Sequence, residues 1–183
     1  MHGSGEPSDW VRRWAHLIRP QGTVLDVACG GGRHVRWLAA QGFVLTGVDR
    51  DGAALATLGT VAETVEADIE HAAKALAERR FDAVVVTNYL WRELLPTIVQ
   101  SLSPGGVLIY ETFADGQQSV GRPSRPDFLL QRGELLRATE TLRLVAFEDG
   151  FIDMPARYVQ RVVAVAETAG LALACYPLMI RTQ

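Results

Sequence analysis

Apolar residues fall in short blocks along the first two thirds of the chain, and their spacing switches between strand-like and helix-like periods. Thr23–Val27 is a short apolar run that leads into glycines. Val35, Leu38 and Ala39 follow at helical spacing, with Gly42 as a stop. Val44–Val48 predicts a second strand ending at Asp49, Ala53–Leu58 a short helix, and Thr64–Ala67 a third strand ending at Asp68. Ile69, Ala72, Ala73, Leu76 and Ala77 recur on one helical face. Phe81–Thr87 is nearly all apolar and β-branched, as in a central parallel strand covered on both sides. Leu94, Leu95, Ile98, Val99 and Leu102 mark another helix, in which Pro96 is tolerable only in the first turn. Ser103-Pro104-Gly105-Gly106 reads as a turn and Val107–Phe113 as strand five.

Beyond Phe113 the rhythm changes. Residues 114–127 are rich in Gly, Ser, Pro and Arg and predict a long loop; loops of that length in a domain are often lids. A helix around Gly133–Thr139 follows, then strands Leu142–Phe147 and Tyr158–Val165, expected to form a hairpin. Near the start, Trp10 and Trp14 stand at i and i+4 of an expected helix capped by Ser8 or Asp9, and predict packing of that helix on the sheet. Strands alternating with helices imply a parallel sheet with right-handed crossovers.

The chain has 183 residues, a net charge of −3, 48% hydrophobic and 21% charged residues, which fits one globular domain spanning 1–183 with residues 1–7 flexible. The acidic balance disfavours nucleic acid as the main partner. Cys29 and Cys175 form no disulfide framework or metal spacing, so a reducing cytoplasm is expected and no metal. The first residues lack the apolar stretch of a signal peptide. No apolar run approaches the roughly 20 residues of a membrane helix.

In open α/β sheets ligands bind beyond the carboxyl ends of the strands. Asp26, Asp49, Asp68, Asn88 and Glu111 fall at five such ends. Gly30, Gly31 and Gly32 lie between strand one and its helix, where glycine permits positive φ and close approach of a ligand. Asp49 lies about twenty residues further on, where a carboxylate can accept from both ribose hydroxyls of an adenosine. Glycines alone would make only a tight turn; the strand–loop–helix context and the spaced aspartate favour a nucleotide-like ligand.

Val24-Leu25-Asp26-Val27-Ala28-Cys29-Gly30-Gly31-Gly32 resembles motif I of the class I methyltransferases that use S-adenosylmethionine (AdoMet), departing from it at Ala28, where the family usually has glycine. Gly47-Val48-Asp49, Ala67-Asp68-Ile69, Phe81–Val86 with Asn88, and Leu102–Leu108 resemble later motifs in the family's order. Tyr110–Phe113, the Arg/Pro loop and Gly133-Glu134-Leu135 resemble the small bacterial tellurite-resistance-type members. The resemblance implies an α/β, Rossmann-like, doubly wound sheet of seven mostly parallel strands, with helices on both faces and a terminal antiparallel hairpin. It also implies AdoMet as cofactor, S-adenosylhomocysteine as product, and Asp26, Ala28, Gly30, Gly32, Asp49, Arg50, Asp68, Ile69 and Asn88 as cofactor-binding residues. Asp26 either meets the methionine amino end or braces the glycine loop.

Methyl transfer from a sulfonium needs alignment above all; an amine or hydroxyl acceptor also needs a base. Tyr89, Arg92 and Glu111 are the substrate-side candidates: Tyr89 closing over substrate, Arg92 holding an anion, Glu111 orienting substrate or acting as base. Each has a plainer reading, as a packed aromatic, a helix-start charge and an arginine partner. His34 reads as a surface or cap residue. Asn88-Tyr89-Leu90-Trp91 lacks the Asn-Pro-Pro-Tyr element of adenine-N6 or glutamine methylation. A small-molecule acceptor, such as a thiol or metalloid oxyanion derivative, is expected, with protein or RNA left open. The alternatives are a non-catalytic AdoMet-binding protein and an NAD(P)-dependent oxidoreductase; the latter is disfavoured by Val35 at the third glycine position of its fingerprint.

Overall fold

The computed structural model describes residues 5–70, 76, 78–167 and 175–178. Its elements run α1 (Asp9–Trp14), β1 (Thr23–Val27), α2 (Arg33–Ala40), β2 (Val44–Asp49), α3 (Gly52–Ala56), β3 (Glu63–Glu66), β4 (Phe81–Thr87), α4 (Leu95–Gln100), β5 (Leu102–Phe113), α5 (Glu134–Ala138), β6 (Arg143–Asp153) and β7 (Ala156–Val165). The strands form one seven-stranded sheet in the order β3-β2-β1-β4-β5-β7-β6. β3, β2, β1, β4 and β5 pair in parallel, while β7 runs antiparallel to both β5 and β6. The order reverses between β1 and β4, which puts the switch point beside the glycine loop.

The central strands are apolar on both faces, and their side chains divide by parity. Leu25, Val27, Val84, Val86, Leu108 and Tyr110 meet Leu94, Ile98 and Leu135 on one side. Val24, Ala83, Val85, Val107, Ile109 and Val163 meet Trp10, Trp14, Val35 and Leu38 on the other. So α1 and α2 cover one face, and α4 and α5 the opposite face. Ser8 caps α1 by accepting from the Trp10 N–H at 3.1 Å. Trp10 and Trp14 are each 1% exposed, with rings 5.6 Å apart at 64°. The guanidiniums of Arg13 and Arg161 lie over the Trp10 ring, Arg161 at 4.7 Å.

Some boundaries differ from expectation for local reasons. The turn Ser103–Gly106 bulges out near the head of β5, where the pairing slips from Phe81↔Leu102 to Ala83↔Val107 and Gly105 takes φ 80°. β6 continues past Phe147 to Asp153 because an edge strand can carry Glu148, Asp149 and Gly150 without apolar alternation. Pro96 sits in the first turn of α4, the one place its missing N–H costs nothing. Most of the helix expected over 69–77 lies outside the described residues, though Ile69 and Leu76 are buried. Among the described residues no helix is long and apolar enough to cross a membrane.

The Trp14 indole N–H is buried without a partner among the described residues, so packing rather than hydrogen bonding is its contribution. Trp14→Ala should cost about 3–5 kcal/mol in urea unfolding, and Trp14→Phe less than half of that.

Candidate active site

A row of polar side chains interrupts the apolar face beneath α1 and α2. Strand parity places Asp26 (β1), Thr87 (β4), Glu111 (β5), Arg161 (β7) and Glu148 (β6) on that face, since Val24, Val85, Ile109 and Val163 belong to its core. The register joins them: Thr87 is opposite Glu111, Glu111 opposite Arg161, and Arg161 opposite Glu148. Asp26 and Glu111 are each 1% exposed, so these charges lie in a nearly dry environment.

The glycine loop lies at one end of the row. Ala28, Gly30 and Gly32 take φ of 54°, 52° and 74°, an alternation of left-handed residues that folds the backbone back between β1 and α2. For Ala28 this region is sterically unfavourable, by about 1–2 kcal/mol. A Cβ on Gly32 would stand 2.3 Å from a Leu58 methyl, so glycine is needed there for packing as well as for φ. Asp49 braces the loop from the neighbouring strand: one oxygen accepts from the Gly30 N–H at 2.7 Å, the other from the Asp51 N–H at 2.9 Å. Asp51 in turn caps α3 through the Ala54 N–H. A carboxylate has about four acceptor sites, so Asp49 keeps capacity for further donors.

Asp26 does not brace the loop. Neither of its oxygens has a hydrogen-bond partner among the described residues. Burial, and then the nearby Asp49 charge, push its pKa up to about 8, against an opposing pull from Arg33. An unpartnered buried carboxyl of this kind fits a cationic donor.

His34, expected at the surface, is only 2% exposed. Its Nε2 accepts from the Ser8 N–H at 3.1 Å, and its Nδ1 lies 3.4 Å from Thr87 Oγ1 and 3.9 Å from Asp26 Oδ2. Burial and the charge of Arg33 lower its pKa to about 3, so the ring is neutral at physiological pH. The Ser8 hydroxyl donates to Glu111 Oε1 at 2.9 Å.

Arginines surround Glu111 at the other end. Arg161 donates to Glu111 Oε2 at 3.1 Å and forks onto Glu148, its Nε at 2.7 Å. Arg13 reaches Glu148 at 3.3 Å. Arg157 approaches Glu111 Oε1 only to 3.6 Å, and its Nε is buried without a partner among the described residues. Beside Arg161 the hairpin forms a cleft of about 210 Å³ whose lining includes Arg161 and the carboxylates Glu148 and Asp149. Glu111 thus takes the arginine-partner role anticipated as its plainer reading.

The remaining candidates are placed as follows. Arg50 and Asp68 are exposed beyond β2 and β3, and Ile69 is buried. Asn88 turns the chain at φ 55° and donates its N–H to the Glu111 carbonyl at 2.9 Å. The Tyr89 hydroxyl is buried without a partner among the described residues, and burial, reinforced by the charges of Glu70 and Asp68, raises its pKa. Arg92 forms a fork with Glu134 at 2.7 and 3.0 Å and also bonds the carbonyls of Asp127 and Leu129 at 2.8 Å. Its donors therefore fasten the 114–132 loop. That loop is further closed by backbone bonds from Asp115 to Leu130 and from Leu130 to Phe113, and by Gln117 accepting from the Tyr158 N–H. This lacing is not that of a free-swinging lid. Among the described residues no cluster of His, Cys, Asp or Glu is arranged to hold a metal ion.

Ser8, His34, Arg157 and Arg161 are site residues that sequence reasoning missed. His34 carried a signal, since Leu38 follows at i+4 on the buried face of α2. The arginines carried none, because only the β5–β7 register brings Arg161 opposite Glu111.

Residues 2–159 match a family model described as a methyltransferase domain. No curated protein sequence matches the chain. TehB from Haemophilus influenzae superposes with a TM-score of 0.72 at 21% identity, over 90% of this chain and 63% of that one. A TehB-like SAM-dependent methyltransferase from Corynebacterium glutamicum gives 0.60 at 21% identity, over 82% and 85%. The N-methyltransferase NodS from Bradyrhizobium japonicum gives 0.66 at 18% identity, over 84% and 94%. The chain thus spans less than two thirds of the H. influenzae protein's length.

Two outcomes are expected for the free protein. Gly32→Ala should lower the unfolding free energy by about 2 kcal/mol or more, through strain and the Leu58 contact, whereas Ala28→Gly should be neutral or stabilise by up to about 1 kcal/mol. Asp26 binds its proton more tightly when folded, so its contribution is fully present below the unfolded pKa and is lost as pH rises from about 4 to about 8. Urea unfolding should therefore show Asp26→Asn gaining stability over the parent chain between pH 5 and pH 8.

Proposed function

The chain belongs to the methyltransferase-domain family, and from that premise we propose that it transfers the methyl group of AdoMet to a small anionic acceptor in a reducing cytoplasm. The observation that carries this reading is the buried Asp26 carboxyl, which lacks a donor beneath the glycine loop. The ammonium of the cofactor's methionine part has the charge and the donors to satisfy it. Asp49 would accept the ribose hydroxyls on its remaining lone pairs while still holding the Gly30 N–H. Asp68 and Ile69 would frame the adenine, with Arg50, Asn88 and Tyr89 around it. When bound, the sulfonium supplies a carbon already activated for displacement.

The chain's own residues then mainly hold the two reactants in line and keep water out. The acceptor would lie beside Glu111 with its negative group on Arg157, whose Nε is buried without a partner among the described residues. Both oxygens of Glu111 already accept from Ser8 and Arg161. Glu111 therefore orients the arginines rather than abstracting a proton, and a soft nucleophile that needs no base suits the site.

Asp49→Ala should weaken S-adenosylhomocysteine binding in isothermal titration by a few kcal/mol, through loss of charge-assisted hydrogen bonds. Unchanged affinity would mean the ribose lies elsewhere. With radiolabelled AdoMet and an acceptor panel, small anions should take the label, and Arg157→Ala should raise KM roughly tenfold with little change in kcat. Label found instead on neutral compounds or on protein would refute the acceptor assignment.

A further inference from the structure

The polar row has a cover, and the cover is fastened by one imidazole. Neutral imidazole has one donor nitrogen and one acceptor nitrogen. The Ser8 N–H donates to His34 Nε2, so the ring proton is on Nδ1, the nitrogen 3.4 Å from Thr87 Oγ1 and 3.9 Å from Asp26 Oδ2. The groups facing His34 are Asp26 and Thr87 from the sheet, Ser8 from the N-terminal segment, and the Arg33 charge beside it on α2. The residue whose N–H is held by His34 also gives its hydroxyl to Glu111, in the middle of the row.

We infer that His34 is a positioning residue that couples the occupant of the Asp26 carboxyl to the docking of the N-terminal segment, and through Ser8 to the arrangement of Glu111. The inference rests on the reading of Asp26 as the seat of the cofactor's ammonium. A cation there holds Asp26 as carboxylate. A carboxylate facing the Nδ1–H shifts electron density toward Nε2 and makes it a stronger acceptor for the Ser8 N–H. The coupling is reciprocal: a docked Ser8 keeps the proton on Nδ1, which favours the carboxylate and so the cation. Burial keeps the His34 ring neutral down to about pH 3, so the latch follows the charge of Asp26, which the occupant sets below about pH 8 and deprotonation sets above it.

Hydrogen exchange of residues 8–14, read with and without S-adenosylhomocysteine, tests this. In the parent chain the ligand should slow exchange of this segment roughly tenfold. In His34→Phe the ligand should still bind, roughly tenfold more weakly, and the gain in protection should vanish. His34→Gln, which restores an acceptor, should recover part of it. The side-chain ¹⁵N resonances of His34 in the parent chain give a second readout, in which the ligand should shift Nε2 while leaving the proton on Nδ1. Ligand binding without slower exchange, a gain retained in His34→Phe, or unmoved ¹⁵N resonances should His34→Phe not fold, would each overturn the coupling. Failure of the parent chain to bind the ligand at all would instead remove the reading of Asp26, and the coupling with it.

Discussion

A carboxyl buried without a donor is the constraint around which this site is arranged. A sheet covered on both faces has no water to solvate charge, so ionised groups inside it must be paired or must give up their charge. Glu111 meets that requirement with Arg161, which also reaches the partly exposed Glu148. Asp26, on the same face, meets it by keeping its proton, since burial raises its pKa to about 8. The consequence is a face that is stable but incomplete, and the incomplete part lies beneath the glycine loop.

The two aspartates of the rim divide the labour. Asp49 accepts from backbone N–H groups on both sides of itself, and so fixes the spacing between β1 and β2 at the point where Gly30 turns. Asp26 contributes no such bracing: its oxygens have no hydrogen-bond partner among the described residues. Ala28 tolerates its left-handed backbone because the bonds around it over-determine the loop: Cys29 donates to the Val48 carbonyl and Gly32 to the Cys29 carbonyl. At the opposite end Ser8 and the arginines hold Glu111, so the N-terminal segment is a wall of the site as well as packing for the sheet.

Much of the fold was legible in the sequence because the signals were local. Short β-branched runs bounded by glycines or polar residues placed β1, β2, β4 and β5, and two further apolar runs placed the terminal hairpin, in agreement with the family resemblance. Asp49 and the glycine loop were legible for the same reason, since their spacing reflects neighbouring strands. The arginine cluster was not, because it depends on which residue of β7 stands opposite Glu111, and no local pattern encodes that. Arg92 was misleading in the other direction: a cation at a helix start has the look of an anion site, but Glu134 and two loop carbonyls, 35 to 42 residues away in sequence, take up its donors. His34 was less legible, since a histidine at a helix start has the look of a surface or cap residue although Leu38 follows at i+4 on the buried face.

On the proposed reading, Asp26 surrenders a proton to receive a cation. Calorimetric titration of S-adenosylhomocysteine in buffers of differing ionisation enthalpy counts protons exchanged on binding. Near pH 7, below the raised pKa of about 8, the account predicts release of about one proton, fading above pH 9 and absent in Asp26→Asn. Binding with no proton released at pH 7, or the same release from Asp26→Asn, would contradict it.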